Sequence, residues 1–213
     1  MTDPSQGIQS PTGPLSSAGA VSPQGSGSDG PGRYLDRVLP GPGSRVDRVS
    51  QRLQDALAAT GDTFVGRPIL HLLRGNTWLG HPAHPVVVTV PVGAWVVSSW
   101  YDLKSTRTGR PRDEYAADGA LRIGIAGAAL AAVTGIAQFV DTRDQARRET
   151  AVHAALNNAA LTLYLLSLGL RRTGHRQLGR RVSAAALALV GVSGYLGGDL
   201  AYRHGVGVTG TTK

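Results

Sequence analysis

Residues 85–103 have the sequence PVVVTVPVGAWVVSSWYDL, in which Asp102 is the first charged side chain. Three further apolar stretches follow, at residues 119–140, 151–170 and 182–202. Each stretch has about 20 residues, enough at 1.5 Å per residue for a helix to cross a hydrocarbon core about 30 Å thick. The sequence therefore predicts an all-α fold, a four-helix transmembrane bundle over residues 81–208, in a multi-pass protein of the cell membrane.

The chain before the bundle has a different composition. Residues 1–43 contain 7 Pro, 9 Gly and 7 Ser, too little apolar surface to offset the entropy of folding, so we expect a disordered tail. Residues 44–80 are expected to form one or two short amphipathic or interfacial helices, the first capped by Ser44. The apolar face of that helix would either pack on the protein itself or lie on an anionic membrane surface. It comprises Val46, Val49, Leu53 and Leu57.

Composition excludes several classes of function. The chain has no cysteine, which excludes disulfides, cysteine nucleophiles, thiolate-bound zinc, iron–sulfur clusters and covalently attached c-type haem. The net charge is +8, but the basic residues flank the predicted spans, where topology accounts for them, so we expect no nucleic-acid partner. An arginine-, alanine- and glycine-rich composition is typical of a GC-rich bacterial genome.

Polar side chains gather at one end of the predicted bundle. The first and third spans begin, and the second and fourth end, on one side of the membrane, which we call side A; the opposite side is side B. Ionisable residues close to the membrane are costly and tend to face the bundle interior and to be functional. Imidazole and carboxylate groups also bind metal ions. The candidate metal ligands on side A are His81, His84, His153, His204, Asp141 and Asp199.

The sequence also indicates an internal duplication. His84 opens the first span and His153 the third, while Val133-Thr134-Gly135 in the second span is similar to Val192-Ser193-Gly194 in the fourth. The repeated unit would be a helical hairpin, with a pseudo-two-fold axis along the membrane normal. His84 and His153 could then approach a single haem from opposite sides, which makes them the candidate cofactor-binding residues.

Several ordered motifs between about Trp78 and Val208 are similar to those of the domain of unknown function 2231 family of predicted bacterial membrane proteins. They are Gly80-His81-Pro82-x-His84-Pro85, Val90-Pro91-Val92-Gly93-Ala94-Trp95, Thr134-Gly135, His153-Ala154-Ala155-Leu156-Asn157, Gly194-Tyr195-Leu196-Gly197-Gly198 and His204-Gly205-Val206-Gly207. The resemblance implies a four-span membrane domain with histidines near one face. The domain also resembles one that is fused to Rieske-type modules in some relatives, which points to redox chemistry, although a Rieske cluster needs cysteine.

Two functions remain open from the sequence. In the first, the chain is a structural or accessory membrane subunit, in which His84 helps to cap the first span and His153 pairs with Asn157 or a nearby Asp. In the second, it is a redox membrane subunit that binds haem b or a divalent metal. We expect no enzymatic activity from the chain alone, since it has neither a phosphate-binding loop nor a nucleophile elbow. Expected partners are the lipid bilayer and either respiratory or redox membrane proteins or further copies of the chain.

Overall fold

The computed structural model describes residues 31–63 and 66–208. Over these residues the chain is helical and has no strand, which confirms the all-α prediction. Four helices, α4 to α7, are long and apolar enough to cross a membrane, which confirms the four predicted spans. The helices are α1 (Pro31–Val38), α2 (Arg45–Gly61), α3 (Gly66–Arg74), α4 (Ala83–Thr108), α5 (Pro111–Phe139), α6 (Asp144–Arg172) and α7 (Arg176–Tyr202).

All four spanning helices extend beyond their apolar stretches, at least on one side. Helix α4 ends at Gly109, whose φ of 61° allows the left-handed turn that stops it. Helix α5 begins at Pro111, and Asp113 in its first turn suits the positive end of the helix dipole. Helix α6 begins at Asp144, well before the apolar stretch starts at residue 151. The polar segment before that stretch is therefore helical, and Glu149 belongs to the bundle.

The four spans form a ring in chain order. Helix α4 packs mainly against α5, and α6 mainly against α7, while α5 contacts α6 and α7 closes back on α4. At the centre, the rings of Trp95 and Tyr164 stack with their centroids 4.1 Å apart and an interplanar angle of 16°. Leu121 and Ala186 are buried around this pair. The bundle is thus two helical hairpins joined across an aromatic stack.

The two hairpins repeat the same contacts. In the first hairpin the Ser98 hydroxyl donates to the carbonyl of Ala117 at 2.9 Å, and in the second the Ser167 hydroxyl donates to the carbonyl of Gly179 at 2.8 Å. Ser98 and Ser167 are 69 positions apart, and the two acceptors are 62 apart. The stacked pair has the first of these offsets as well, since Trp95 and Tyr164 are also 69 apart. The hairpins are therefore pseudo-symmetric, and the stack crosses their common axis.

The register of this repeat differs from the one expected from the sequence. His84 donates to the carbonyl of Ala131 and lies over Gly135, while His153 donates to the carbonyl of Ser193 and lies over Gly197. These contacts align Ala131 with Ser193 and Gly135 with Gly197. The predicted duplication aligned Thr134 with Ser193, which is three residues away from this alignment. Close packing between the helices determines which residues are equivalent, and the similarity of a short sequence segment does not.

The structure describes the predicted tail, residues 1–43, from residue 31 onward, and it contains a short helix there. Residues 31–38 form α1, in which Leu35 is buried. Asp36 of this helix receives hydrogen bonds from Arg203 at the end of α7 and from Gln145 in α6. The packing of Leu35 and the charge of Asp36 hold α1 against side A. Residues 1–30 lie outside the described part of the chain.

Helix α2 lies against side A of the bundle by its polar face. Ser50 is buried, Asp47 pairs with Arg147 at 2.9 Å, and Gln54 donates to the carbonyls of Phe139, Val140 and Thr142. The N–H of Gly43, followed by Arg147, holds the pKa of Asp47 below its usual value. Val49 and Leu53 of the apolar face are exposed instead. Val46 and Leu57 of the same face are half-buried, so α2 packs on the protein through its polar residues and through part of the predicted apolar face.

Replacing Gln54 by Ala is expected to release α2 from the bundle, because three carbonyls at the end of α5 lose their common donor. Since each hydrogen bond contributes about 0.5–1.5 kcal/mol, amide hydrogen exchange in residues 45–61 should become roughly tenfold faster. Gln51→Ala is the matched control, because Gln51 lies on the exposed side of the same helix. Equal exchange rates in the two variants would show that Gln54 does not hold α2 in place.

Candidate functional site

Two histidines occupy equivalent positions near side A. His84 lies in the first turn of α4, with Nδ1 2.8 Å from the carbonyl of Ala131 in α5. His153 lies in α6, with Nδ1 2.8 Å from the carbonyl of Ser193 in α7. A carbonyl only accepts, so Nδ1 of each ring carries the proton and donates it. In the neutral imidazoles this leaves Nε2 unprotonated and able to accept a hydrogen bond or bind a metal.

Each imidazole fits closely against a glycine of the neighbouring helix. A Cβ at Gly135 would lie 3.1 Å from Cε1 of His84, and one at Gly197 would lie 3.0 Å from Cε1 of His153. Both distances are tighter than ordinary van der Waals contact, so a side chain at either position would push the ring away. Small residues on α5 and α7 thus create the space in which the histidines reach the backbone carbonyls.

The second nitrogen of each ring has a different environment. Nδ2 of Asn157, one turn along α6, lies 2.9 Å from Nε2 of His153, which is one of the two pairings expected from the sequence. Among the described residues, no hydrogen bond engages Nε2 of His84. The expected role of His84 in capping the first span is not observed: Pro82 is the N-cap of α4, and no side chain caps that helix. His84 instead bonds sideways to α5.

The six candidate metal ligands do not form a single site. His81 is exposed, and Asp141 forms an ion pair with Arg74 at 2.8 Å. His84 and His153 are engaged inside the bundle, as described above. Within residues 31–63 and 66–208, one group of three possible ligands comes together, and it combines two of the predicted residues with one that was not predicted. Its members are Glu149, Asp199 and His204, whose ligand atoms all lie within 4.8 Å of one another.

The Glu149 side chain is the centre of this group. It is fully buried, and its Oε2 lies 3.1 Å from Nε2 of His204. The guanidinium of Arg203 contacts Asp199 at 3.0 Å and lies 3.8 Å from Glu149. Burial, followed by the charge of Arg203, lowers the pKa of His204. The hydrogen bond from Arg203 is the main cause of the lowered pKa of Asp36.

Sequence reasoning missed Glu149 because it lies before the third apolar stretch, in a segment interpreted as a loop. A signal was nevertheless present, since Glu149 is four residues before His153. Residues four apart share one face of a helix, so an extension of the third span by two turns places Glu149 above His153. Both then face the interior of the bundle.

Side B contains a network of buried charges. Arg171 pairs with Asp102 through two nitrogens and with Asp118 at 2.9 Å, and its side chain is 1% exposed. Arg176 and Arg180 add ion pairs with Glu114 at 3.1 Å and 2.8 Å. Arg171 therefore binds acids inside the bundle, and Arg176 and Arg180 bind an acid at its partly exposed edge, in addition to any role in topology.

The network joins the two hairpins by opposite charges at equivalent positions. Asp102 and Arg171 are 69 positions apart, the offset of the first helices of the repeat. Glu114 and Asp118 on α5 correspond to Arg176 and Arg180 on α7 by the offset of 62. At each of the three positions the first hairpin has an acid and the second has an arginine. Hairpin association on side B is thus complementary in charge.

Comparison with known proteins gives one match. A family model described as a predicted membrane protein (DUF2231) matches residues 80–210, more than half of the chain. The matched segment begins at the loop before α4 and contains all four spans and the two half-buried histidines, His84 and His153. No curated protein and no solved structure matches the chain.

Proposed function

We propose that this chain, which belongs to the DUF2231 family of predicted membrane proteins, acts as a structural or accessory subunit of the bacterial cell membrane. In this proposal the histidines and acids of the bundle serve to fix its helices. The two pseudo-symmetric hairpins provide a rigid four-span body, and the outer faces of the spans contact lipid and neighbouring membrane proteins or further copies of the chain.

The hydrogen bonds of the histidine pair carry this proposal. His84 and His153 each donate Nδ1–H to a carbonyl of the second helix of their own hairpin, at the same 2.8 Å distance. Two equivalent contacts of this kind support a structural role, because each one holds the two helices of its hairpin together near side A. Polar contacts between helices in membranes contribute about 0.6–2 kcal/mol each. The pair therefore stabilises both hairpins by the same means.

A haem- or metal-dependent redox subunit is the second candidate function. An Nδ1–H held by a carbonyl orients an imidazole so that Nε2 is available as a ligand, and Nε2 of His84 has no hydrogen bond within the described residues. The fit is incomplete on the other side, because Asn157 occupies Nε2 of His153. Haem b bound by both rings would first require Asn157 to turn away. When bound, such a haem would supply one-electron transfer.

Substituting His153 by Asn separates the two functions, because the Asn side chain keeps a donor near the position of Nδ1 but is a poor haem ligand. We expect His153→Ala to lower the free energy of unfolding in detergent by about 1–2 kcal/mol, and His153→Asn to recover at least half of that loss. The same pair of variants at His84 should give the same result. Thermal unfolding of the purified full-length protein measures both.

Haem content in the same preparations tests the alternative. Protein expressed with a haem supply is expected to show no Soret absorbance above that of either alanine variant. A stoichiometric Soret band that disappears in both His153→Ala and His153→Asn would instead establish the redox function and contradict the structural one.

A further inference from the structure

Two buried carboxylate oxygens on side A lack a well-directed hydrogen-bond donor. Oε1 of Glu149 has no donor among the described residues, and Oδ2 of Asp199 has the Nε of Arg203 at 3.0 Å but makes no well-directed hydrogen bond to it. The Glu149 side chain is 0% exposed, and that of Asp199 is 13% exposed. Helices α6 and α7 bring these two acceptors to the same place, where Oε1 of Glu149 lacks a positive or proton-bearing partner among the described residues.

The nearby cations do not supply it. Arg203 lies against Asp199 at 3.0 Å, but the same guanidinium also binds Asp36, at 2.7 Å, and stays 3.8 Å from Glu149. One arginine is therefore shared by three carboxylates. The Nε2 of His204 lies 3.1 Å from Oε2 of Glu149, the other oxygen of that carboxylate. An excess of negative charge remains around Glu149, and a buried excess of this kind needs compensation.

We propose that Glu149, Asp199 and His204 form a binding site for a divalent transition-metal ion on side A. The site lies between α6 and the end of α7 and is separate from the hydrogen bonds of His84 and His153. Each residue offers one ligand atom, and these atoms lie within 4.8 Å of one another. Donors in a tetrahedral zinc site are about 3.4 Å apart, so small side-chain rotations close this set on an ion.

The donor types favour a transition metal over calcium or magnesium. Ca²⁺ and Mg²⁺ take oxygen ligands, whereas one imidazole with two carboxylates is suited to Zn²⁺ and similar ions. Metal binding would neutralise the excess negative charge at Glu149, and Arg203 would then pair mainly with Asp36. The alternative compensation is one proton shared between Glu149 and Asp199, in which case no metal binds.

Zinc binding to the full-length chain tests the proposal. The protein is purified in detergent without a histidine tag, stripped with a chelator and dialysed against Zn²⁺, and the bound metal is measured by elemental analysis. We expect one zinc ion per chain in the wild type, and affinity at least about tenfold weaker in Glu149→Gln, Asp199→Asn and His204→Gln. Glu149→Gln should melt no lower than the wild type in metal-free buffer, because it removes a buried charge without changing shape.

Three variants outside the site serve as controls. His81→Gln removes an exposed histidine of the predicted ligand set, Asp141→Asn removes an exposed carboxylate, and His153→Asn alters the histidine pair. All three should bind zinc as the wild type does. Wild-type protein that binds no zinc, or that binds it equally well after Glu149→Gln, would overturn the proposal. Zinc lost only in the His153 variant would also overturn it and would place the metal at the histidine pair.

Discussion

Replacing Arg171 by Met is expected to lower the free energy of unfolding in detergent by about 3–5 kcal/mol, because the buried Asp102 loses its paired counter-ion. Only the more distant Arg180, with Nε 3.5 Å from Asp102, would then remain beside it among the described residues. The Arg171 side chain is 1% exposed, and it also binds Asp118 and the hydroxyl groups of Ser167 and Ser183. Removing it therefore disrupts several contacts between the hairpins at once. Denaturant titration followed by circular dichroism measures the loss.

The pseudo-symmetry provides a rescue experiment. Because Asp102 and Arg171 occupy equivalent positions, the double variant Asp102→Arg, Arg171→Asp exchanges the charges across the axis and should recover part of the lost stability. Arg74→Met is the matched control: its ion pair with Asp141 is exposed and should contribute about 0–1 kcal/mol. If Arg171→Met cost no more than this control, the buried network would not hold the hairpins together.

A methyl group at Gly124 is expected to destabilise the bundle centre by about 1–3 kcal/mol. The Cβ of an alanine there would overlap the indole Nε1 and Cδ1 of Trp95. Since Trp95 stacks on Tyr164, the ring has no free space on its other face and the helices must separate. Thermal unfolding of Gly124→Ala measures the loss of stability, and tryptophan fluorescence measures the change around Trp95.

Gly119→Ala in the same helix is the control for this substitution. No atom outside the local helix backbone lies within 4 Å of a Cβ at Gly119. This variant should be neutral or more stable by up to about 1 kcal/mol, because alanine favours helix over glycine. Equal losses at positions 119 and 124 would indicate a general effect of glycine removal, and the close approach to Trp95 would then have no special role.

Apolar length was sufficient to predict the four spans, because a helix that crosses a membrane needs a long run without charges. The position of polar residues was harder to predict. Glu149 was not predicted as a site residue because α6 continues beyond its apolar stretch. Only the packing of the helices shows that the added turns of α6 lie inside the bundle. The polar contact of α2 was not predicted for a related reason: the partners of Gln54 are backbone carbonyls at and just after the end of α5, which leave no mark in the composition.

The duplication was recognised at His84 and His153, where the same residue recurs. It was not recognised at Asp102 and Arg171, because two residues of opposite charge look unrelated in a sequence although they occupy equivalent places. The second helices were aligned three residues away from the structural equivalence, since contacts between helices, from the histidines and from Ser98 and Ser167, determine that register. Sequence similarity thus detects a repeat where both copies do the same task, and fails where they have become complementary.

The acid-to-arginine exchange on side B has a consequence for biosynthesis. When many copies of the chain enter a crowded membrane, the first hairpin of one copy meets first hairpins of others before its own second hairpin is made. A pair of first hairpins would place Asp102 against Asp102, and a pair of second hairpins would bring two Arg171 side chains together. Both homotypic pairs are repulsive, so each first hairpin remains available for the second hairpin that follows it from the ribosome.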